Sequence, residues 1–202
     1  MVSRSAAPSR RSDVVTIVSG LPRSGTSMMM RMLERGGMPV LVDGIRTADE
    51  DNPRGYYEFE RVKQIEHDAA WLDDAGGKAV KMISGLLQHL PAGRPYKVIF
   101  MRREMDEILA SQRRMLVRRG EPTDRIQDDE MAALFHKHLA KVEAWLDEQP
   151  NIQVLYVSYN DMLEDPAAQV AKVAEFMDAG LDPERMAAVI DPSLYRQRQT
   201  ED

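Results

Sequence analysis

The sequence predicts a single α/β domain built on a mostly parallel sheet with helices on both faces. Three observations carry this. Short β-branched apolar runs alternate with amphipathic stretches of helical period, which is the pattern of strands joined by crossover helices. The first such run is followed at once by a glycine-containing loop and a second amphipathic stretch. The chain of 202 residues is 43 % hydrophobic and 30 % charged, a size and balance that support one substantial core.

Taken in order, residues 1–12 contain Arg4, Arg10 and Arg11 among Ser, Ala and Pro and read as a disordered tail without the apolar stretch of a secretory signal. Residues 13–19 are apolar and β-branched, bounded by Gly20 and Pro22, and read as a buried strand. Residues 26–34, rich in Met and Leu, form a helix that stops at Gly36-Gly37. Further strands are expected at 39–42 (the weakest), 78–83, 97–101 and 152–158. Helices are expected at 57–73, 104–119, 128–148, 166–177 and 183–190. In the helix from Glu104, the residues Met105, Ile108, Leu109, Gln112 and Leu116 trace one mostly apolar face, expected to join the core.

Several function classes fall away on composition. A net charge of −6 argues against a general nucleic-acid binder, although Arg102, Arg103, Arg113, Arg114, Arg118 and Arg119 crowd one stretch and suggest a local anion site or a solvated helix face. The absence of cysteine removes disulfides, thiolate metal sites and thiol nucleophiles, and fits a cytoplasmic protein. No apolar run approaches the roughly 20 residues of a membrane span.

The chemistry concentrates in Gly20-Leu21-Pro22-Arg23-Ser24-Gly25-Thr26-Ser27. Its glycines allow backbone N–H groups to converge on an anion at the positive end of the next helix. Thr26 and Ser27 either add hydroxyl donors there or cap that helix. The G-x-x-x-x-G spacing is that of a P-loop, but Thr26 stands where a nucleotide triphosphatase carries its lysine, and the cation lies within the loop as Arg23. The strand at 97–101 runs into Arg102-Arg103 where such an enzyme would place a metal-binding carboxylate. Positive charge at that strand end faces the crevice where open parallel sheets bind ligands, and suits a second phosphate better than Mg²⁺. The plain alternative is that either arginine pairs with a nearby acid such as Glu104 or Asp106.

These two motifs resemble those of the sulfotransferase superfamily, whose members use 3′-phosphoadenosine 5′-phosphosulfate (PAPS). Pro22-Arg23-Ser24-Gly25-Thr26-Ser27 is similar to the family's 5′-phosphosulfate loop in its arginine form. Val98-Ile99-Phe100-Met101-Arg102-Arg103, with Ser111 eight residues beyond Arg103, resembles its 3′-phosphate motif. The resemblance implies that Arg23, Ser24, Gly25, Thr26 and Ser27 bind the 5′ end of the donor and that Arg103 and Ser111 bind the 3′-phosphate, with Arg102 as the substitute if the register slips. A third patch, 154–162, resembles the family's Tyr-Glu-Asp-Leu segment. It makes Tyr159 either a contact to the adenosine half or an ordinary strand-end tyrosine. A late arginine, Arg196 or Arg198, would close over the 3′-phosphate. Asn52-Pro53-Arg54-Gly55-Tyr56-Tyr57-Glu58 resembles a bacterial branch of the family. Residues 13–202 are then one P-loop-type domain.

The cytosolic branch carries a Lys-Thr-His segment whose histidine is the base. Here the matching residues are Lys81-Met82-Ile83, so the lysine carries over and the histidine does not. The implied reaction is metal-independent, in-line transfer of a sulfuryl group to the hydroxyl of a small molecule or carbohydrate. Arg23 and Lys81 would stabilise the leaving oxygen, and a carboxylate would act as base. Asp49, Glu50, Asp51, Glu58 and Glu60 are the candidates. Glu58 is favoured because it ends a constrained turn, although a carboxylate at a helix start also suits the helix dipole. A P-loop kinase or triphosphatase and a catalytically degenerate nucleotide-binding module are the competing readings.

Overall fold

A computed structural model describes residues 13–45, 49, 55–123 and 125–191. The expected tail at 1–12, the carboxylates Glu50 and Asp51, and the late arginines Arg196 and Arg198 lie outside the described residues.

Among the described residues there are four strands, β1 (Val15–Gly20), β2 (Ala79–Lys81), β3 (Tyr96–Arg102) and β4 (Ile152–Ser158). They pair in the order β2-β1-β3-β4, every pair parallel. The helices are α1 (Thr26–Arg35), α2 (Met105–Arg118), α3 (Asp128–Asp147), α4 (Tyr159–Glu164), α5 (Pro166–Met177) and α6 (Pro183–Ala187). The α/β class, the parallel sheet and the covering of both faces agree with expectation.

The period of two along each strand divides the core. Val18, Ile99, Met101 and Val157 face a layer from α1 and α4–α6, including Met29, Met30, Leu33, Met162, Val170, Val173 and Met186. Val15, Ile17, Val98 and Phe100 face the opposite layer, which includes Trp71, Leu72 and Leu87 with Val142 and Leu146 of α3. The chain therefore leaves β1 towards one face and leaves β3 towards the other. The strand order reverses between these neighbours, and this divergence opens a crevice above their carboxyl ends. Both arginine-bearing motifs begin there.

Two expected elements differ. Residues 57–73 do not form one helix. They form 3-10 turns at Glu60–Gln64 and Ala70–Asp74. Asp68 is the reason: its carboxylate accepts from the Ala70 N–H at 2.9 Å and from Arg61 at 3.0 Å, offering the backbone a partner other than the helical carbonyl. Val62 and Ile65 still reach the core, because residues three apart eclipse in a 3-10 turn. The weak strand at 39–42 is one parallel bridge, Val40 to Ala79. Pro39 accepts from the Ala79 N–H at 2.9 Å but has no N–H with which to lengthen the ladder. Helix α4 was not foreseen. It starts at an N-cap, where Ser158 Oγ accepts from the Asp161 N–H at 3.1 Å.

Candidate functional site

The loop between β1 and α1 is shaped by two glycines that no other residue could replace without a shift. At Gly20 (φ 145°) a Cβ would lie 2.6 Å from both the Met101 carbonyl oxygen and Ser24 Oγ. At Gly25 (φ 96°) it would lie 2.5 Å from Cδ2 of Tyr159. The loop is thus pressed against the end of β3 below and the Tyr159 ring beside it. Ser24 is fully buried and donates to the Leu21 carbonyl at 2.7 Å, which fixes the inside of the turn.

Gly25 is the N-cap of α1, and no side chain caps the helix. Thr26 is its first residue, and Ser27 Oγ donates to the Tyr56 carbonyl at 3.2 Å, so neither hydroxyl serves as the cap. A ten-residue helix starting in a glycine loop without a side-chain cap presents its first-turn N–H groups, and the positive end of its dipole, to the crevice.

On one side of the loop stand the arginines. Arg23 adopts φ 73°, a left-handed conformation unusual for a residue with a Cβ. Its carbonyl accepts from Arg103 Nη1 at 3.1 Å, and its own Nε donates to Ser111 Oγ at 2.8 Å. The Arg103 side chain, 8 % exposed, donates from Nε to Glu107 Oε2 at 2.7 Å and lies over the Tyr159 ring at 4.4 Å. Burial pushes the Tyr159 phenol above its ordinary pKa against the opposing pull of Arg103, so it stays a neutral hydroxyl. Arg23 of the loop after β1, Arg103 just beyond β3, Ser111 of α2 and Tyr159 of α4 form one contact network.

Arg102 does not join them. Successive side chains of β3 alternate faces, and Arg102 lies over the Tyr156 ring at 4.0 Å and donates to Glu143 of α3 at 2.7 Å. Both strand-end arginines line the cavity at the carboxyl end of β3 and each pairs with an acid, Arg102 with Glu143 and Arg103 with Glu107, but of the two only Arg103 bonds to the loop. Arg113 pairs with Asp128 and ties α2 to the start of α3.

On the other side, at the start of α1, stand Lys81 and Glu58. Lys81 Nζ donates to the Tyr56 carbonyl, lies 3.5 Å from Ser27 Oγ and is 3.7 Å from Glu58 Oε1. Both side chains are largely shielded, at 13 % and 21 % exposure. Glu58 precedes the 3-10 turn that begins at Glu60, so its expected place at a helix start is corrected. The other described carboxylates of this stretch are engaged elsewhere: Asp49 accepts from the Tyr56 hydroxyl, Asp43 from the Glu60 N–H, and Glu60 from Lys63. His67 falls in a turn, and His138 meets Ser84 Oγ at 2.8 Å. Among the described residues no group of three or more His, Asp or Glu side chains is placed to hold a metal ion, and no helix is long and apolar enough to cross a membrane.

With this geometry in view, residues 13–200 match the family model described as the sulfotransferase domain. The chain belongs to the sulfotransferase family. Solved structures agree with that fold. A sulfotransferase from Alicyclobacillus acidocaldarius is 18 % identical with a TM-score of 0.53, the match covering 85 % of this chain and 82 % of that one. Sulfotransferase STF9 from Mycobacterium avium is 14 % identical with a TM-score of 0.51, covering 95 % and 70 %. Comparison with curated protein sequences yields no significant match.

Two residues of this network, Glu107 and Asn160, were given no role from the sequence. Glu107 had a signal, its i, i+4 spacing from Arg103. Asn160 lies in the 154–162 patch, but nothing local records its partner, because it meets Glu107 through the tertiary fold, Nδ2 donating to Oε1 at 3.0 Å. Arg198, expected to close over the site, lies outside the described residues.

Proposed function

We propose that the protein transfers a sulfuryl group from PAPS to the hydroxyl of a small molecule or carbohydrate. The observation that carries this is the contact network joining the loop arginine Arg23 to Ser111 and Arg103, beside a helix start without a side-chain cap. Two anion-binding regions share one crevice, which fits a nucleotide phosphorylated at both the 5′ and 3′ positions.

In this reading Gly25, Thr26 and Ser27 hold the 5′ end through their amides, the buried Ser24 shapes the loop around it, Arg103 and Ser111 hold the 3′-phosphate, and Tyr159 offers its ring edge to the adenosine half. Arg198 would complete the 3′ side. The donor supplies the sulfur electrophile and a phosphate leaving group. Transfer breaks the bond from sulfur to the bridging phosphate oxygen and forms one from sulfur to the acceptor oxygen. Arg23 and Lys81 neutralise the charge gathering on the departing phosphate. Glu58 takes the acceptor's proton, and its neighbour Lys81 holds that carboxylate at the α1 start. Electrostatic stabilisation of this kind needs no metal at the site.

Incubation with radiolabelled PAPS and a panel of alcohols, sugars and lipid-like hydroxyl compounds tests the reading. Labelled product is expected with and without EDTA. Mg²⁺-dependent hydrolysis of ATP or GTP without sulfuryl transfer would contradict it in favour of a triphosphatase. Glu58→Gln should cut turnover by about 10²–10⁴-fold while donor binding holds. Unchanged turnover would remove Glu58 from the mechanism.

A further inference from the structure

We propose that Glu107 and Asn160 are positioning residues that set Arg103 to read the donor's 3′-phosphate. This rests on the donor reading above and gives a role to two residues that had none in it, Glu107 between Arg103 and Ser111 and Asn160 beside Tyr159.

An anion site gains nothing directly from a buried carboxylate, yet Glu107 is 4 % exposed and bonded to the very arginine that faces the loop. Its two oxygens have different partners: Oε2 accepts from Arg103 Nε at 2.7 Å and Oε1 from Asn160 Nδ2 at 3.0 Å. Asn160 is oriented in turn by the backbone, its Oδ1 accepting from the Glu104 N–H at 3.3 Å. The end of β3, the first turn of α2 and the first turn of α4 are thereby closed into one ring of hydrogen bonds. The planar guanidinium of Arg103 is held along its Nε edge by Glu107, on its face by Tyr159, and at Nη1 by the Arg23 carbonyl. An arginine fixed in this way keeps its fork at one angle and loses little rotamer freedom when an oxyanion arrives. The cost of the carboxylate is repaid in geometry.

The donor and acceptor pattern makes the couple specific. Arg103 Nε and Asn160 Nδ2 are both donors, so a carboxylate at 107 satisfies the two at once. A glutamine in its place turns one N–H₂ against a donor. Asn160 must donate to Glu107 and accept from Glu104, which an aspartate cannot do. Asn160→Asp sets two carboxylates together, although it differs from the natural residue by one atom.

The test is the ratio of affinities for adenosine 3′,5′-bisphosphate and adenosine 5′-monophosphate, measured by calorimetry on the natural protein, Glu107→Gln, Asn160→Asp and Asn160→Ala. The natural protein is expected to prefer the bisphosphate. Glu107→Gln and Asn160→Asp should lower that preference by about tenfold or more, the scale of a misaligned bond to a charged group. Asn160→Ala should lower it less, and affinity for the monophosphate should hold in all three, which also reports an intact fold. In turnover, the donor KM should rise with kcat and the acceptor KM unchanged. A preference kept in all three variants overturns the positioning role and leaves the donor reading standing. Equal affinity of the natural protein for both nucleotides overturns the donor reading and this inference together. Loss of monophosphate binding in parallel with the bisphosphate would make Glu107 and Asn160 simple supports of the fold, and would equally overturn the proposal.

Discussion

Gly25→Ala is expected to reduce affinity for adenosine 3′,5′-bisphosphate by at least about 10²-fold, a loss on the scale of displacing an aligned site by about 1 Å. The residue sits at φ 96°, a backbone conformation that a Cβ disfavours by roughly 1–2 kcal/mol. The added methyl would also lie 2.5 Å from Cδ2 and 3.1 Å from Cε2 of Tyr159. Relief requires either the loop to move, which misdirects the amides at the start of α1, or the Tyr159 ring to leave its place against Arg103. Both routes damage the same crevice. A second substitution separates them: Tyr159→Ala in the Gly25→Ala background removes the clash but not the backbone cost. Partial recovery of bisphosphate affinity, read by calorimetry, would identify the ring contact as the larger part. Full affinity in the single variant would mean that the loop does not form the binding surface.

Arg23→Ala is expected to lower the rate of sulfuryl transfer by about 10²–10³-fold, the usual cost of removing one group that stabilises developing charge. Arg23→Lys should recover little of it. Lysine lacks the planar fork, so it cannot keep a bond to Ser111 and still present a second N–H edge. The left-handed backbone of Arg23 and the hold of Arg103 on its carbonyl place this side chain at the junction of the two anion regions. Single-turnover measurements with labelled PAPS separate this loss from weaker binding. A rate within a factor of about two of the natural protein would exclude Arg23 from the chemistry, since a charge stabiliser is worth far more.

Much of the fold was legible because its signals are local. The β-branched runs of β1, β3 and β4 and the apolar periods of α1, α2 and α5 depend on near neighbours, and each came out within a few residues of expectation. The stretch from 57 to 73 misled because its apolar spacing is compatible with either an α-helix or eclipsed 3-10 turns, and the decision falls to Asp68. The helix α4 was hidden by a polar N-terminus that reads equally well as a loop.

The site divides along the same line. The anion loop and the strand-end arginines stand out in the sequence because a motif concentrates them within a few residues. Which of Arg102 and Arg103 bonds to the loop is a matter of strand alternation at the end of β3, settled by where Glu143 and Glu107 stand. The meeting of Glu58 with Lys81, and of Glu107 with Asn160, depends on segments 23 and 53 residues apart, which no local pattern records. Tertiary pairing of polar groups is the part of a site that composition and spacing leave unwritten.

In the proposed reading one crevice accommodates both phosphates of a doubly phosphorylated adenosine. A crystal structure of the protein soaked with adenosine 3′,5′-bisphosphate tests it most directly. The 5′-phosphate is expected on the amides of the loop before α1 and the 3′-phosphate between Arg103 and Ser111. A nucleotide seated elsewhere, or one whose 3′-phosphate points into solvent with Arg103 untouched, would contradict it.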